Sequence, residues 1–267
     1  MDIRPAAVAG LFYPSEPQQL HDEVQNYLHD ATGARTDPAV PKAIIAPHAG
    51  YIYSGPVAAS VYARLLAAHA RIHRVVLLGP SHRVPFVGLA SSSAHSFETP
   101  LGKIALDRNA IAQLDDLPQV MLLDAAHAQE HSLEVQLPFL QEVLDDFTLV
   151  PLVVGDASPA EVAEVLDRLW GGEETLIVIS SDLSHYHPYD EARRLDRDTS
   201  NAIEALRSEA IHSDDACGCR AVNGLLTVAR QRGMQAHTVD LRNSFDTAGD
   251  ITGSHGRVVG YGAYVFH

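Results

Sequence analysis

Short apolar runs rich in Val, Ile and Leu recur along this chain, alternating with longer segments whose apolar residues return every three or four positions. Lys42–Ala46 (KAIIA), Arg74–Leu78 (RVVLL), Phe147–Val153 and Thr175–Ser180 (TLIVIS) read as strands apolar on both faces. Gly55–Ala70, Pro159–Leu169, Asp190–Glu209 and Arg220–Arg232 read as helices, the second opened by Ser158 as N-cap before a first-turn proline. Ser132–Leu144 also has helical spacing, with Pro138 expected to delay or kink it. Phe86–Ala90, Lys103–Leu106, Val120–Leu122, His237–Leu241 and Val258–Phe266 read as further strands, and Arg108–Leu114 as a short helix. Strands alternating with helices imply βαβ units, hence an α/β fold: three layers around a central, mostly parallel sheet. No linker, repeat or low-complexity tract interrupts the pattern, so residues 1–267 are expected to form a single domain.

Composition narrows the function classes. An apolar share of 46 % suits an ordinary globular protein. The formal charge of −15 argues against a nucleic-acid partner, which is held mainly by clustered Lys and Arg. No apolar run is long enough to span a membrane, and the N-terminus carries no basic–apolar–small leader pattern, so a cytoplasmic location is expected. The two cysteines, Cys217 and Cys219, are too few for a disulfide framework and too close to bond each other without strain.

The fifteen histidines are more informative by position than by number. In open α/β sheets, ligands collect beyond the carboxyl ends of the strands. Three expected strands end in histidine-bearing loops: Pro47-His48-Ala49-Gly50, Gly79-Pro80-Ser81-His82, and Ser181-Asp182-Leu183-Ser184-His185. A fourth cluster, Glu130-His131-Ser132, precedes a helix; it either faces the same crevice or only organises the helix start. His187, before Pro188, is a spare. Cys217 lies just ahead of an expected helix, where the dipole would favour a thiolate able to serve as metal ligand or nucleophile, while Cys219 reads as a small buried hydrophobe.

Two His with a thiolate or carboxylate suit iron, copper or zinc, and Asp182 is placed to orient a ligating imidazole. A Ser–His–Asp hydrolase using Ser81, His82 and Asp182 ranks low because no Gly-x-Ser-x-Gly elbow is present. Phosphate-loop and dinucleotide fingerprints are also absent.

Five long stretches resemble the MEMO family, in family order: Arg4–Pro14, Ala46–Gly55, Leu78–His82, Glu130–Leu140 and Ser180–Tyr186, with shorter likeness at Cys217-Gly218 and Gly260–Ala263. The resemblance implies a fold like that of class III extradiol dioxygenases, whose non-haem iron lies in an equivalent crevice. Carried over, it makes His48, His82 and Cys217 the metal ligands and places Asp182 and His185 in the same pocket, with substrate near these two and His131. A thiolate stands where the dioxygenases use a carboxylate, and so soft a ligand favours copper or a retuned iron centre. The lead expectation is thus a metal-dependent oxidoreductase. The alternatives are a non-catalytic metal- or peptide-binding module and a zinc hydrolase. The resemblance further implies AMMECR1-like and radical-SAM partner proteins.

Overall fold

The computed structural model describes residues 2–32, 40–249 and 256–267. Four strands form the centre of the main sheet: Ala43–Ala46, Thr175–Ser180, Arg74–Pro80 and Thr148–Val154, adjacent in that order and all parallel. Every residue of Ala43–Ala46 and Thr175–Ser180 is buried, which explains their unbroken apolar sequences: helices cover both faces. Chain order and spatial order differ here. The connection leaving Ala43–Ala46 passes over the place of Thr175–Ser180 before entering Arg74–Pro80.

Towards the edges the sheet is mixed. Arg257–Phe266 pairs antiparallel with Ala43–Ala46, and carries Ala236–Asn243 and His185–Pro188, both antiparallel. On the other side Leu89–Ser91 runs antiparallel to Thr148–Val154 and parallel to Val120–Leu122. Parallel pairing therefore holds for the core of the sheet and not throughout its width. Among the described residues a separate three-stranded sheet joins Ile3–Arg4, Ser96–Thr99 and Gly102–Ala105.

Pro159–Arg168 packs against Cys219–Gln231, which lies on the strands Arg74–Pro80 and Thr175–Ser180. The Tyr51–Tyr62 helix packs on Pro17–Thr32 and Leu137–Val143. Pro159–Arg168 opens on the expected Ser158 cap, with Glu161 closing a reciprocal capping box. Pro17–Thr32, not anticipated from sequence, buries only Leu20, Val24 and Leu28, a stripe too narrow to stand out among polar neighbours. Pro138 acts as expected: Glu134–Gln136 is a 3-10 turn and the α-helix begins only at Leu137. The helix expected at Gly55–Ala70 instead starts at Tyr51 and tightens into a 3-10 stretch over Ala63–Ala68. No helix among the described residues is long and apolar enough to cross a membrane.

Candidate metal centre

Because the four central strands are parallel, their carboxyl ends share one edge. His48 follows Ala43–Ala46 by two residues, His82 follows Arg74–Pro80 by two, and Asp182 follows Thr175–Ser180 by two. The interleaved strand order sets Asp182 between the two histidine loops. The ring centroids of His48 and His82 are 5.2 Å apart, and His131 lies 5.5 Å from His48 and 4.5 Å from His82, nearly parallel to it. One donor atom from each of these three residues lies within 4.8 Å of the other two. Two nitrogens bound to one ion at about 2.1 Å lie no more than about 4.2 Å apart, so closing on a metal needs only small ring movements.

Hydrogen bonding fixes which nitrogen each imidazole offers. Ser180 Oγ has one proton and gives it to the Ser132 carbonyl at 2.6 Å. It accepts from Gln136 Nε2 at 2.8 Å and must also accept from His48 Nδ1, likewise at 2.8 Å. His48 is thereby held as the Nδ1–H tautomer, with its lone pair on Nε2. His82 Nδ1 donates to Glu130 Oε1 at 2.9 Å, which again leaves Nε2 free. Both rings are oriented by a fixed oxygen behind them, the arrangement that metal-ligating histidines require.

Glu130 ties this corner together. Its buried carboxylate also accepts from the backbone N–H groups of His82 at 2.6 Å and of His131 and Ser132 at 2.9 Å each. Burial alone would raise its pKa, but the His82 ring and these donors outweigh burial and hold it at about 2. Burial, helped by the neighbouring imidazoles, pushes the pKa of His48 well down, and burial with His82 beside it takes His131 to about 4. Those two rings are neutral near pH 7, the state a metal needs.

Asp182 is buried and accepts the His48 backbone N–H at 2.7 Å. Burial raises its carboxyl to about 6, against the pull of that N–H and of the His185 and His82 imidazoles. Cys217 Sγ sits 3.3 Å from His48 Nε2, and the Asp182 backbone N–H donates to it at 3.3 Å. Gly218 makes this approach possible: a Cβ there would lie 2.7 Å from the Ser180 carbonyl. The thiolate expected at a helix N-terminus is not favoured. Burial, with the Asp182 carboxylate adding to it, pushes the Cys217 thiol far up, so a thiolate here needs a cation beside it. Both cysteines are unpaired. His185 is exposed, opening the edge strand His185–Pro188 next to Tyr186, whose φ of 59° marks a tight bend at the rim.

Of the six residues singled out from sequence, His48, His82 and His131 form the three-donor imidazole cluster. The Cys217 sulfur is not one of that group and contacts it through His48 alone, Asp182 holds the His48 backbone, and His185 is exposed at the rim. Sequence reading did not single out Ser180 and Gln136, whose only signal was their place inside family-like motifs. It also missed Phe12, whose ring lies 4.6 Å from that of His131. The N-terminal segment that carries Phe12 is pinned to the same corner by a buried Arg4–Glu134 ion pair. Arg4 also donates to the His127 and Glu130 carbonyls, and Glu134 accepts the backbone N–H groups of Ala7 and Val8 and the Tyr13 hydroxyl.

The fold and this crevice together define an α/β protein with a preformed, histidine-rich site able to hold a metal ion. Residues 4–265 match the Memo-like protein family, and this chain belongs to that family. It is 38 % identical to a MEMO1 family protein of Aquifex aeolicus over the whole of both chains, and 35 % identical to one of Methanopyrus kandleri over 98 % of each. The crystal structure of an uncharacterized protein from Escherichia coli K12 shares the fold, with a TM-score of 0.51 at 14 % identity, covering 85 % of this chain and all of that one.

Proposed function

We propose that this protein is a metal-dependent oxidoreductase of the cytoplasm that holds iron or copper, with zinc the alternative ion, through His48 Nε2, His82 Nε2 and Cys217 Sγ. The observation that carries this reading is the pair of locked tautomers: Ser180 and Glu130 leave Nε2 as the free donor of His48 and of His82, two rings of one three-donor cluster, and His48 Nε2 lies 3.3 Å from the Cys217 sulfur. His131, next to His82, is within reach as a further donor or as a contact for substrate. When bound, iron or copper would supply one-electron chemistry, and its charge would stabilise the Cys217 thiolate that burial disfavours.

The residues around it suit a proton-handling role. Asp182, raised to about 6, exchanges a proton near neutral pH without leaving the His48 backbone. His185, open to solvent at the rim, acts on that carboxylate through its charge, which favours the ionised form. Phe12 and the segment behind it cover His131 on one side and keep that side dry.

Metal analysis of anaerobically purified protein tests this reading. Iron or copper near one equivalent is the expected result, falling at least tenfold in Cys217→Ser and in His82→Ala. Full retention in Cys217→Ser would remove the sulfur from the site and leave the three imidazoles. Oxygen uptake across a panel of reducing substrates tests the catalytic half. The second reading is a non-catalytic metal- or peptide-binding module working with AMMECR1-like and radical-SAM proteins. It is favoured by the exposed side chains of Leu11, Ile52 and Tyr186, each next to or within a site-bearing segment. Metal retention with no oxygen uptake on any substrate would select it.

A further inference from the structure

Cys217 borders a second space that none of the three clustered imidazoles touches. A cavity of about 210 Å³ lies over the carboxyl ends of Arg74–Pro80 and Thr148–Val154, walled by Pro80, Val84, Phe86 and Val154, with Cys217 and Ala221 on the helix side. Its walls are fixed loops. Ser81 N donates to the Val154 carbonyl at 3.0 Å and Ser81 Oγ to the Val84 carbonyl at 2.6 Å. Asp156 N donates to the Phe86 carbonyl at 2.8 Å, so the 81–86 segment is tied to the end of the sheet at both ends.

The lining states what would fit. The side chains facing the space are aliphatic, prolyl and aromatic, apart from the thiol, the internally bonded Ser81 hydroxyl and one ion pair. That pair, Arg220 to Asp156 at 2.8 Å, is largely exposed to water and already neutralised. No lone charge calls for a charged ligand, and a chain of net charge −15 disfavours an anion. An enclosed apolar cavity of about 150 Å³ holds a benzene molecule; this space of about 210 Å³, partly open to solvent, has room for a single substituted ring or a branched alkyl group of similar size. A group filling it would end against the Cys217 sulfur, 3.3 Å from His48 Nε2.

We propose that this cavity is a binding site for the apolar portion of a small neutral ligand, a single ring or branched alkyl group, which it presents to Cys217. That the ligand is the substrate rests on the metal-dependent reading above; the cavity's preference for neutral apolar groups does not.

Thiol labelling of metal-free, full-length protein in a Cys219→Ala background tests the site. The probes are benzyl methanethiosulfonate and anionic sulfonatoethyl methanethiosulfonate. In each, the Cys217 sulfur bonds to the reagent's sulfenyl sulfur and methanesulfinate leaves. The rates are read by mass spectrometry and normalised to free cysteine. A preference of at least tenfold for the benzyl reagent is expected, abolished in Ala221→Phe, whose ring takes up the cavity. Equal normalised rates, no labelling of Cys217 by either reagent, or a preference that survives Ala221→Phe, would overturn the proposal. Should Ala221→Phe not fold, competition in the unmodified cavity decides. Millimolar benzyl alcohol should slow methyl methanethiosulfonate at Cys217 several-fold where benzenesulfonate does not, and equal behaviour of the two overturns the site. Metal uptake measured separately on the same preparations keeps the outcomes apart: normal uptake without benzyl preference rejects the cavity alone, and benzyl preference without uptake rejects the metal reading alone.

Discussion

Glu130→Gln changes the least shape for the most chemistry at this site. Glu130 Oε1 accepts from the His82 ring and from the backbone N–H groups of His131 and Ser132, while Oε2 accepts from the His82 backbone N–H. A glutamine keeps one carbonyl oxygen. Its NH2 must then face at least one of those donors, so a buried N–H loses its acceptor and the rest lose a charged one. An unsatisfied buried donor costs about 1–3 kcal/mol, and charged hydrogen bonds exceed neutral ones by about 1 kcal/mol, so a loss of roughly 2–4 kcal/mol is expected in urea unfolding. The His82 ring, no longer held by a carboxylate, should populate both tautomers, and metal affinity should fall about 10–100-fold. Two assays separate these effects: urea midpoints on metal-free protein, and competition titration against a chromophoric chelator, with His82 tautomers followed by nitrogen NMR. Glu130 also predicts its own pH window. Its folded pKa of about 2 lies below the ordinary glutamate value of 4.5, so its stabilisation is fully present above pH 4.5 and is lost as pH falls from there towards 2. The shift corresponds to about 3 kcal/mol. Glu130→Gln should therefore flatten the stability profile between pH 4.5 and 2. A variant with unchanged metal affinity and an unchanged acid limb would refute the claim that this carboxylate orients the site.

His127 is buried with Nε2 on the Ala90 carbonyl and no hydrogen-bond partner for Nδ1 among the described residues, and burial lowers its pKa to about 4. Since the folded value is depressed from 6.5, stability is lost as pH falls from 6.5 to 4; His127→Leu should shrink that slope by close to one proton, and an unchanged slope in urea melts across this range would show that the ring is not the titrating group. Arg4→Leu leaves Glu134 charged and buried without its partner, so a loss of about 3–5 kcal/mol is expected from chemical denaturation; a loss under 1 kcal/mol would mean that the N-terminal segment is held by packing alone. Gly260→Ala would drive a Cβ into Asp196 Oδ2, whose partner oxygen accepts the Ser184 N–H behind the Asp182–His185 loop. A destabilisation of about 1–3 kcal/mol is expected, relieved in part by Asp196→Ser, and full thermal stability in the single variant would contradict the crowding.

The layered fold was readable because its central strands are buried on both faces, and such strands need continuous Val, Ile and Leu. The edges were harder. Ile3–Arg4 and His185–Pro188 are short strands without an apolar run, held by a partner strand at Ser96–Phe97 and Arg257–Val259 respectively. Neither carries a periodic signal of its own. The mixed character of the sheet was invisible for a related reason: direction is set by the connections, and the alternation of helix and strand is silent about the antiparallel additions at each side.

The site divides along the same line. Histidines placed just past buried strands pointed to the crevice, since a parallel sheet gathers its carboxyl ends on one edge. What sequence spacing left undecided was the standing of Glu130-His131-Ser132, which read equally well as a helix start. The structure brings those residues to the crevice because Ser132 Oγ donates to the Pro80 carbonyl at 2.8 Å and its own carbonyl receives Ser180, clamping the segment between two strand ends. The same clamp gives the metal reading its directionality. Ser132 takes the single Ser180 proton, so Ser180 can only accept from His48, and the His48 lone pair has one way to point. Ser180→Ala should therefore free the ring and weaken metal binding about tenfold, although Ser180 touches no metal. Affinity equal to that of the unsubstituted protein would mean that the His48 tautomer is set by something other than this chain of hydrogen bonds.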